Sequence, residues 1–273
     1  VNVLVTGGSG FIGRHVLAEL NARGVAVENF DRPRSILDRN ELHLAMTQAD
    51  AVINLAGALG TAELFDAERD AIHANIFGAV NVYRAAAARG VPVVQIATGH
   101  RGQLNPYAIT KAAAEDLGLA RARYLGERVS VVRAYHVYGP GQKMCPPHGT
   151  STVRKIVPSF VARALTGMPL EVNGSGEQTI DLVYVQDVAS VLCDALDGPF
   201  GTVVEAGTGK STTVLEAAQA VIDATGSPSQ IAHLPMRAGE PEDSAIVAAE
   251  PACHNAWPYR LDETIGWYRA ALS

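Results

Sequence analysis

The chain has 273 residues, 48% hydrophobic and 18% charged, with a formal net charge of −6. That balance supports a sizeable core, argues against disorder, and lacks the basic surface that nucleic acid or an anionic membrane demands. No apolar run approaches the roughly 20 residues of a bilayer span. No basic n-region with an apolar h-region opens the chain, so no signal peptide is expected. Cys145, Cys193 and Cys253 are an odd, scattered set rather than a disulfide framework, and a reducing cytoplasm is the expected setting.

Val1–Thr6 reads as a strand that runs into glycines. Phe11–Arg23 has helical spacing of Phe11, Ile12, His15, Val16 and Leu20, and stops at Gly24. Val25–Phe30, Ala51–Leu55 and Val91–Ile96 read as strands, with a long helical stretch, Ala62–Arg89, before the last of these. Tyr107–Leu125 is an Ala-rich helix and Ser130–Arg133 a strand. This alternation predicts an α/β fold with a Rossmann-type, doubly wound parallel sheet. In the second half, Pro and Gly cluster at Gly139–Gly149, Gly167–Gly176 and Gly198–Gly209. Helices are expected at Val153–Thr166, Thr213–Thr225 and Leu261–Leu272.

Gly8, Gly10 and Gly13 fit G-x-G-x-x-G, and Gly7, Gly10 and Gly13 fit a neighbouring spacing. Such a match is weak alone; here a strand precedes it and a helix follows. Missing side chains let the backbone turn tightly and approach a pyrophosphate at the positive end of the helix. Asp31 follows the second strand at the offset of an acidic ribose reader, which favours NAD over NADP. Arg32 and Arg34 lie close by and are of the type that pairs with a 2′-phosphate. Tyr107 and Lys111 share one face of a helix. A cation beside a phenol favours phenolate, and such a tyrosine can take a hydroxyl proton as hydride leaves the same carbon.

With these residues the chain resembles the extended short-chain dehydrogenase/reductase family, in its NAD-dependent nucleotide-sugar epimerase/dehydratase group. Thr6–Gly13 looks like that family's cofactor turn, and Asp50–Gly57 like its fourth-strand motif, with Asn54 where His is common. Asn75, Gly78 and Asn81 resemble its bracing helix, and Tyr107 and Lys111 its catalytic pair. Arg133–Gln142 looks like the segment after its sixth strand, Gly174–Thr179 with Asp181–Ala189 like its substrate-lobe signature, and Arg237–Glu240 like its late arginine loop.

The resemblance implies Tyr107 as base, Lys111 lowering its pKa and holding the nicotinamide ribose, and Thr98 hydrogen-bonding the same sugar hydroxyl. It implies NAD contacts from Gly7, Gly10, Phe11, Ile12, Gly13, Asp31, Arg32, Ser35, Ile36, Leu55, Ala56, Gly57, Asn75, Tyr107, Lys111, Tyr135 and Val137. Substrate contacts would come from Thr98, His136 and Arg237. Residues 1–150 are read as the NAD-binding domain with the Tyr–Lys pair. Residues 151–273 are read mainly as a substrate lobe interleaved with the last sheet strands.

Four departures stand out. Thr98 and Tyr107 are close in sequence, so the substrate-side wall is expected to be cut back. Gly99 and His100 replace the Asp and Glu that dehydratases carry after the Thr, which argues against dehydration. The link after Asp31 is short; it is expected to lack the intervening helix and to leave adenine contacts to Ser35 and Ile36. His136 replaces an Asn and Ile180 an Arg, leaving Arg237 as the expected diphosphate grip.

Gly207–Thr212 hints at a phosphate loop, but the first glycine of that motif falls on Val204, so a loop before a helix capped by Ser211 or Thr212 is expected. Cys145–His148 has metal-like spacing with no second ligand pair, and no metal is expected. The leading function is a nucleotide-sugar 4-epimerase acting on a UDP- or dTDP-hexose as a homodimer through a four-helix bundle. The alternatives are a nucleotide-4-ketosugar reductase using NAD(P)H and a non-catalytic NAD-binding regulator.

Overall fold

The computed structural model describes every residue from Val1 to Ser273. Strands β1 (Asn2–Thr6), β2 (Ala26–Phe30), β3 (Ala51–Asn54), β4 (Val93–Thr98) and β5 (Val129–Ala134) alternate with helices α1 (Phe11–Ala22), α2 (Arg39–Met46), α3 (Glu68–Ala71), α4 (Gly78–Ala87) and α5 (Pro106–Leu125). The second half supplies β6 (His136–Tyr138), α6 (Ile156–Leu165), β7 (Leu170–Asn173), β8 (Thr179–Ile180), β9 (Leu182–Tyr184), α7 (Val185–Asp194), β10 (Val203–Ala206), α8 (Val214–Thr225) and α9 (Leu261–Leu272). The main sheet has six strands in the order β10-β5-β4-β3-β1-β2. Every neighbouring pair in it is parallel, as the alternation predicts.

Strand alternation sends successive side chains to opposite faces. Val3 and Val5 pack with Val16 and Leu20 of α1 and Val188 and Leu192 of α7. Leu4 turns to the other face, with Leu42 and Met46 of α2 and Val82 and Tyr83 of α4. A third cluster holds the second half of the chain together: Phe160 and Val161 of α6, Leu170 and Val172 of β7, Val221 of α8 and Tyr268 of α9. No helix of the chain is long and apolar enough to cross a membrane.

The short link after Asp31 corrects one expectation. A helix is present there, and a strand is missing. Asp38 caps α2 by accepting the N–H groups of Asn40 at 2.9 Å and Glu41 at 3.0 Å. Leu42, Ala45 and Met46 bury its inner face. The segment resembling the family's fourth strand is therefore the third strand of this chain, and β2 forms the sheet edge. Arg34 pairs with Glu28 at 2.6 Å, lies 4.5 Å over the Phe30 ring and donates to the Asn29 carbonyl.

The stretch Ala62–Arg89 is also less continuous than its composition suggests. A 3₁₀ turn, Glu63–Phe65, comes first, and the helix from Glu68 is widened to π geometry over Ile72–Phe77. Such widenings are frequent at functional sites, and this one carries Asn75.

Glu115 on α5 is almost fully buried and bridges two arginines, Arg133 at 2.6 Å and Arg101 at 2.9 Å. Glu115→Gln keeps the shape and removes the buried charge that the two guanidinium groups share, leaving Arg101 only Asp116 and Arg133 only Glu205. A loss of about 3 kcal/mol is expected from denaturant unfolding.

Candidate active site

One cavity of about 1120 Å³ runs from the turn between β1 and α1, past the start of α5, to the lobe around α6. At the turn, a Cβ on Gly13 would lie 2.4 Å from the Gly7 carbonyl oxygen and 2.6 Å from the Gly8 Cα. Only glycine lets the helix start so close to the turn. Gly10 caps α1 without a side-chain hydrogen bond, so the first helical N–H groups remain free for an anion. Asp31 Oδ2 accepts the Ser9 N–H at 2.8 Å, and its Oδ1 accepts the Arg32 N–H at 2.7 Å. The carboxylate thus stands beside the turn with lone pairs left for ribose hydroxyls. These residues fit a dinucleotide.

The floor of this end is a buried polar ladder. The Thr6 hydroxyl donates to Asn54 Oδ1 at 2.5 Å, and Asn54 Nδ2 donates to Gln95 Oε1 at 2.6 Å. Asn54, which replaces a common His, joins β1 to β4 at the strand ends. Leu55, Ala56 and Gly57 follow it along the cavity wall, as do Phe11, Ile12, Ser35 and Ile36. Asn75 lies behind that wall: it accepts the Ala58 N–H at 2.8 Å and donates to the Thr110 hydroxyl at 2.9 Å. Asn81 donates to the Ile36 carbonyl at 3.1 Å.

The helix that carries Tyr107 and Lys111 starts sharply. Asn105 accepts the Ala108 N–H at 2.9 Å, Pro106 takes the first helical position, and Tyr107 follows. Lys111, one turn on, is buried and donates through Nζ to the Ile96 carbonyl at 2.7 Å. Burial pulls its pKa down to about 8, against the pull of Glu115. Burial raises the Tyr107 pKa, and the Thr98 hydroxyl nearby draws it partly back. The net direction is upward, so the phenol is the favoured form in this state.

Thr98 ends β4 with its Oγ1 2.8 Å from His100 Nδ1, and it accepts the His100 N–H at 3.2 Å. His100 Nε2 lies 3.1 Å from His136 Nε2. His136 lines the cavity beside Tyr135 and Val137, but that nitrogen is engaged by His100 and not free for a ligand. Gly99 is sealed: a Cβ there would meet the Tyr135 ring at 2.5 Å. An acidic side chain at this position is thus excluded by packing as well as by sequence.

On the lobe side, Arg237 lines the cavity but donates to Glu63 at 2.5 Å and Glu240 at 3.1 Å. The residue expected to grip a diphosphate is thus held by two carboxylates in this structure. Lys155, at the start of α6, lines the same wall and makes no ion pair or side-chain hydrogen bond; Glu63, Glu240 and Arg237 act on it from nearby. In the sequence it is the second of an adjacent Arg154–Lys155 pair just before an apolar helix, a signal that composition alone does not single out. The Gly207–Thr212 run is closed from within. Buried Asp181 accepts the Thr208 N–H at 2.9 Å, the Thr208 hydroxyl at 2.6 Å and the Gly209 N–H at 2.9 Å. The helix after it is capped by Thr213 with Glu216, not by Ser211 or Thr212.

A doubly wound parallel sheet, an open glycine cradle beside the Asp31 carboxylate, and Thr98, Tyr107 and Lys111 lining one cavity are the features of a dinucleotide-dependent enzyme of the Rossmann type. Residues 3–207 match the NAD dependent epimerase/dehydratase family. The chain belongs to that family. It is 30% identical to the UDP-N-acetyl-alpha-D-glucosaminuronate decarboxylase of Bacillus cytotoxicus, over 97% of both chains. It is 25% identical to the Thermotoga maritima UDP-glucose 4-epimerase solved with UDP-glucose, covering 100% of both chains with a TM-score of 0.89. MoeE5 in complex with UDP-glucuronic acid and NAD is likewise 25% identical over 100% of both chains, with a TM-score of 0.86. The protein is an NAD-dependent enzyme of nucleotide-sugar chemistry, a family that spans epimerases, decarboxylases, dehydratases and reductases.

Proposed function

We propose that the chain epimerises a nucleotide hexose at C4 through a transient 4-keto sugar. The observation that carries this reading is the convergence of Thr98, Tyr107 and Lys111 on one end of the cavity with no carboxylate following Thr98. Tyr107 takes the proton of the sugar hydroxyl, Thr98 orients that hydroxyl, and Lys111 holds the nicotinamide ribose. NAD held by the glycine turn, Asp31 and Lys111 would supply the hydride chemistry at the same carbon and be regenerated, so no external reductant would be consumed. The sealed Gly99 speaks against elimination of a neighbouring hydroxyl. The test is NMR of the purified protein with UDP-, dTDP- and GDP-hexoses and no reductant. New anomeric signals at constant total nucleotide sugar are expected; unchanged spectra, with NADH consumed by a 4-keto sugar, favour the reductase.

A second reading is decarboxylation of a nucleotide uronate, which Lys155 favours: an unpaired ammonium on the substrate wall suits an anionic sugar. UDP-glucuronic acid in the same assay separates the two, by release of CO₂ or by appearance of an epimer.

Lys111 loses its charge as pH rises through about 8. NAD affinity is therefore expected to weaken between about pH 7 and 9, and Lys111→Met to bind more weakly with no such slope in calorimetry. We also infer a homodimer in which α3, α4 and α5 pack against their copies as a four-helix bundle. Exposed Ile72, Phe77, Ile109 and Leu117 on these helices support it; a clean monomer in sedimentation at micromolar concentration would remove it. Three free cysteines suit a reducing cytoplasm.

A further inference from the structure

We propose that His100 and His136 form a two-imidazole proton wire that serves Tyr107 through Thr98; this rests on reading the site as one that oxidises a sugar hydroxyl. The geometry runs unbroken from Thr98 to His136: Thr98 Oγ1 lies 2.8 Å from His100 Nδ1, and the two Nε2 atoms are 3.1 Å apart. Thr98 and Tyr107 line the same cavity, and the Thr98 hydroxyl acts on the Tyr107 phenol from nearby. The far nitrogen, His136 Nδ1, is buried and has no partner anywhere in the chain. Buried polar atoms are nearly always hydrogen-bonded, so an orphan of this kind at a cavity wall points to a group that arrives with the ligand.

A neutral imidazole carries one proton and offers one lone pair. In one arrangement Thr98 donates to His100 Nδ1, His100 Nε2–H donates to His136 Nε2, and His136 Nδ1 carries a proton. Conversion to the other arrangement moves protons in one direction. Tyr107 passes its phenolic proton to Thr98 Oγ1, and Thr98 passes its own to His100 Nδ1. His100 passes its Nε2 proton to His136 Nε2, and His136 releases its Nδ1 proton to an acceptor oxygen of water or the bound sugar. One proton enters, one leaves, and neither imidazole is charged at the end. Tyr107 is left as phenolate, ready for the proton of the sugar hydroxyl as hydride departs to NAD. Return of the hydride runs the wire backwards.

The wire answers a difficulty of this particular site. Burial holds Tyr107 as the phenol, and a phenol cannot act as a base until its proton has somewhere to go. The groups facing the pair suit the task. Lys155 is the cation that acts on both rings, with Glu63, Glu240 and Arg237 beyond it, and Tyr107 titrates at the other end. Burial and Lys155 hold His100 at about 4 and His136 well below the ordinary range, so both rings stay neutral at working pH and pass protons without storing them.

The test uses the NAD-loaded protein with UDP-glucose as probe and follows NADH formation in a single turnover. His136→Asn keeps a hydrogen-bonding side chain and breaks the wire. It is expected to slow NAD reduction by about tenfold or more with UDP-glucose affinity within about twofold. The wild-type rate should be flat from about pH 6 to 7.5, below the range in which Lys111 titrates, whereas the variant's rate should already climb with pH there as hydroxide replaces the wire. A uniform loss with the wild-type pH profile, or no loss, overturns the proposal. If the wild type forms no NADH with UDP-glucose, the functional reading fails, and a second measurement judges the wire alone. In ¹⁵N-histidine-labelled protein, Thr98→Val should move the His136 nitrogen shifts by several ppm; unmoved shifts overturn it.

Discussion

Tyr107→Phe should lower turnover by about 10²–10⁴-fold, the range attributed to a positioned acid–base group. Stability should hold or rise slightly, because the ring remains and only the hydroxyl leaves. NAD affinity should stay within about threefold, since in the proposed site the turn, Asp31 and Lys111 supply most of the grip. The split matters. A non-catalytic NAD-binding protein would keep its cellular role in this variant, whereas an enzyme loses its chemistry and keeps its cofactor. Calorimetry with NAD and the NMR assay on the same preparation decide between them. Lost activity with retained NAD binding is the expected result; retained turnover would remove Tyr107 from the chemistry.

Gly13→Val should have the opposite signature. Its Cβ would fall 2.4 Å from the Gly7 carbonyl and 2.6 Å from the Gly8 Cα, both backbone atoms that cannot swing aside. The start of α1 must then retreat from the turn. A stability loss of about 3 kcal/mol is expected, together with loss of measurable NAD binding. Gly266→Ala is the control: nothing lies within 4 Å of the added methyl, and the site is inside α9. That change should leave NAD binding intact and stabilise by roughly 0.5–1 kcal/mol. Equal behaviour of the two variants would mean that the turn does not depend on close approach.

The contrast between what the sequence displayed and what it hid follows the range of the interactions. The glycine turn, the Tyr107–Lys111 spacing and the parallel strands are local patterns, each contained within a few residues of chain. The parallel Rossmann-type sheet follows from them. Other features depend on partners far apart in sequence. Arg237 meets Glu63 across 174 residues, and His100 meets His136 across 36. Spacing shows neither pair, and so the carboxylates that hold Arg237 and the ring that meets His100 were not legible. The link after Asp31 misled for another reason. Its length signalled a deletion, but capping by Asp38 and the burial of Leu42, Ala45 and Met46 decide that the helix survives.

That deletion leaves β2 with backbone hydrogen-bonding groups on its outer side and no strand to receive them. An unpaired strand edge is a template for a second chain, and proteins blunt such edges with charge. Arg34 occupies this place, bound at once to Glu28, the Phe30 ring and the Asn29 carbonyl. Its guanidinium therefore works as an insulator: it satisfies one of the orphaned carbonyls and sets a full charge where an invading strand would have to lie. The same side chain lines the cavity beside Asp31, where the proposed reading seats the cofactor. Solubility of the sheet and the shape of the cofactor's outer wall are thus joined in one residue, and a change made there to alter cofactor preference would also uncover the edge.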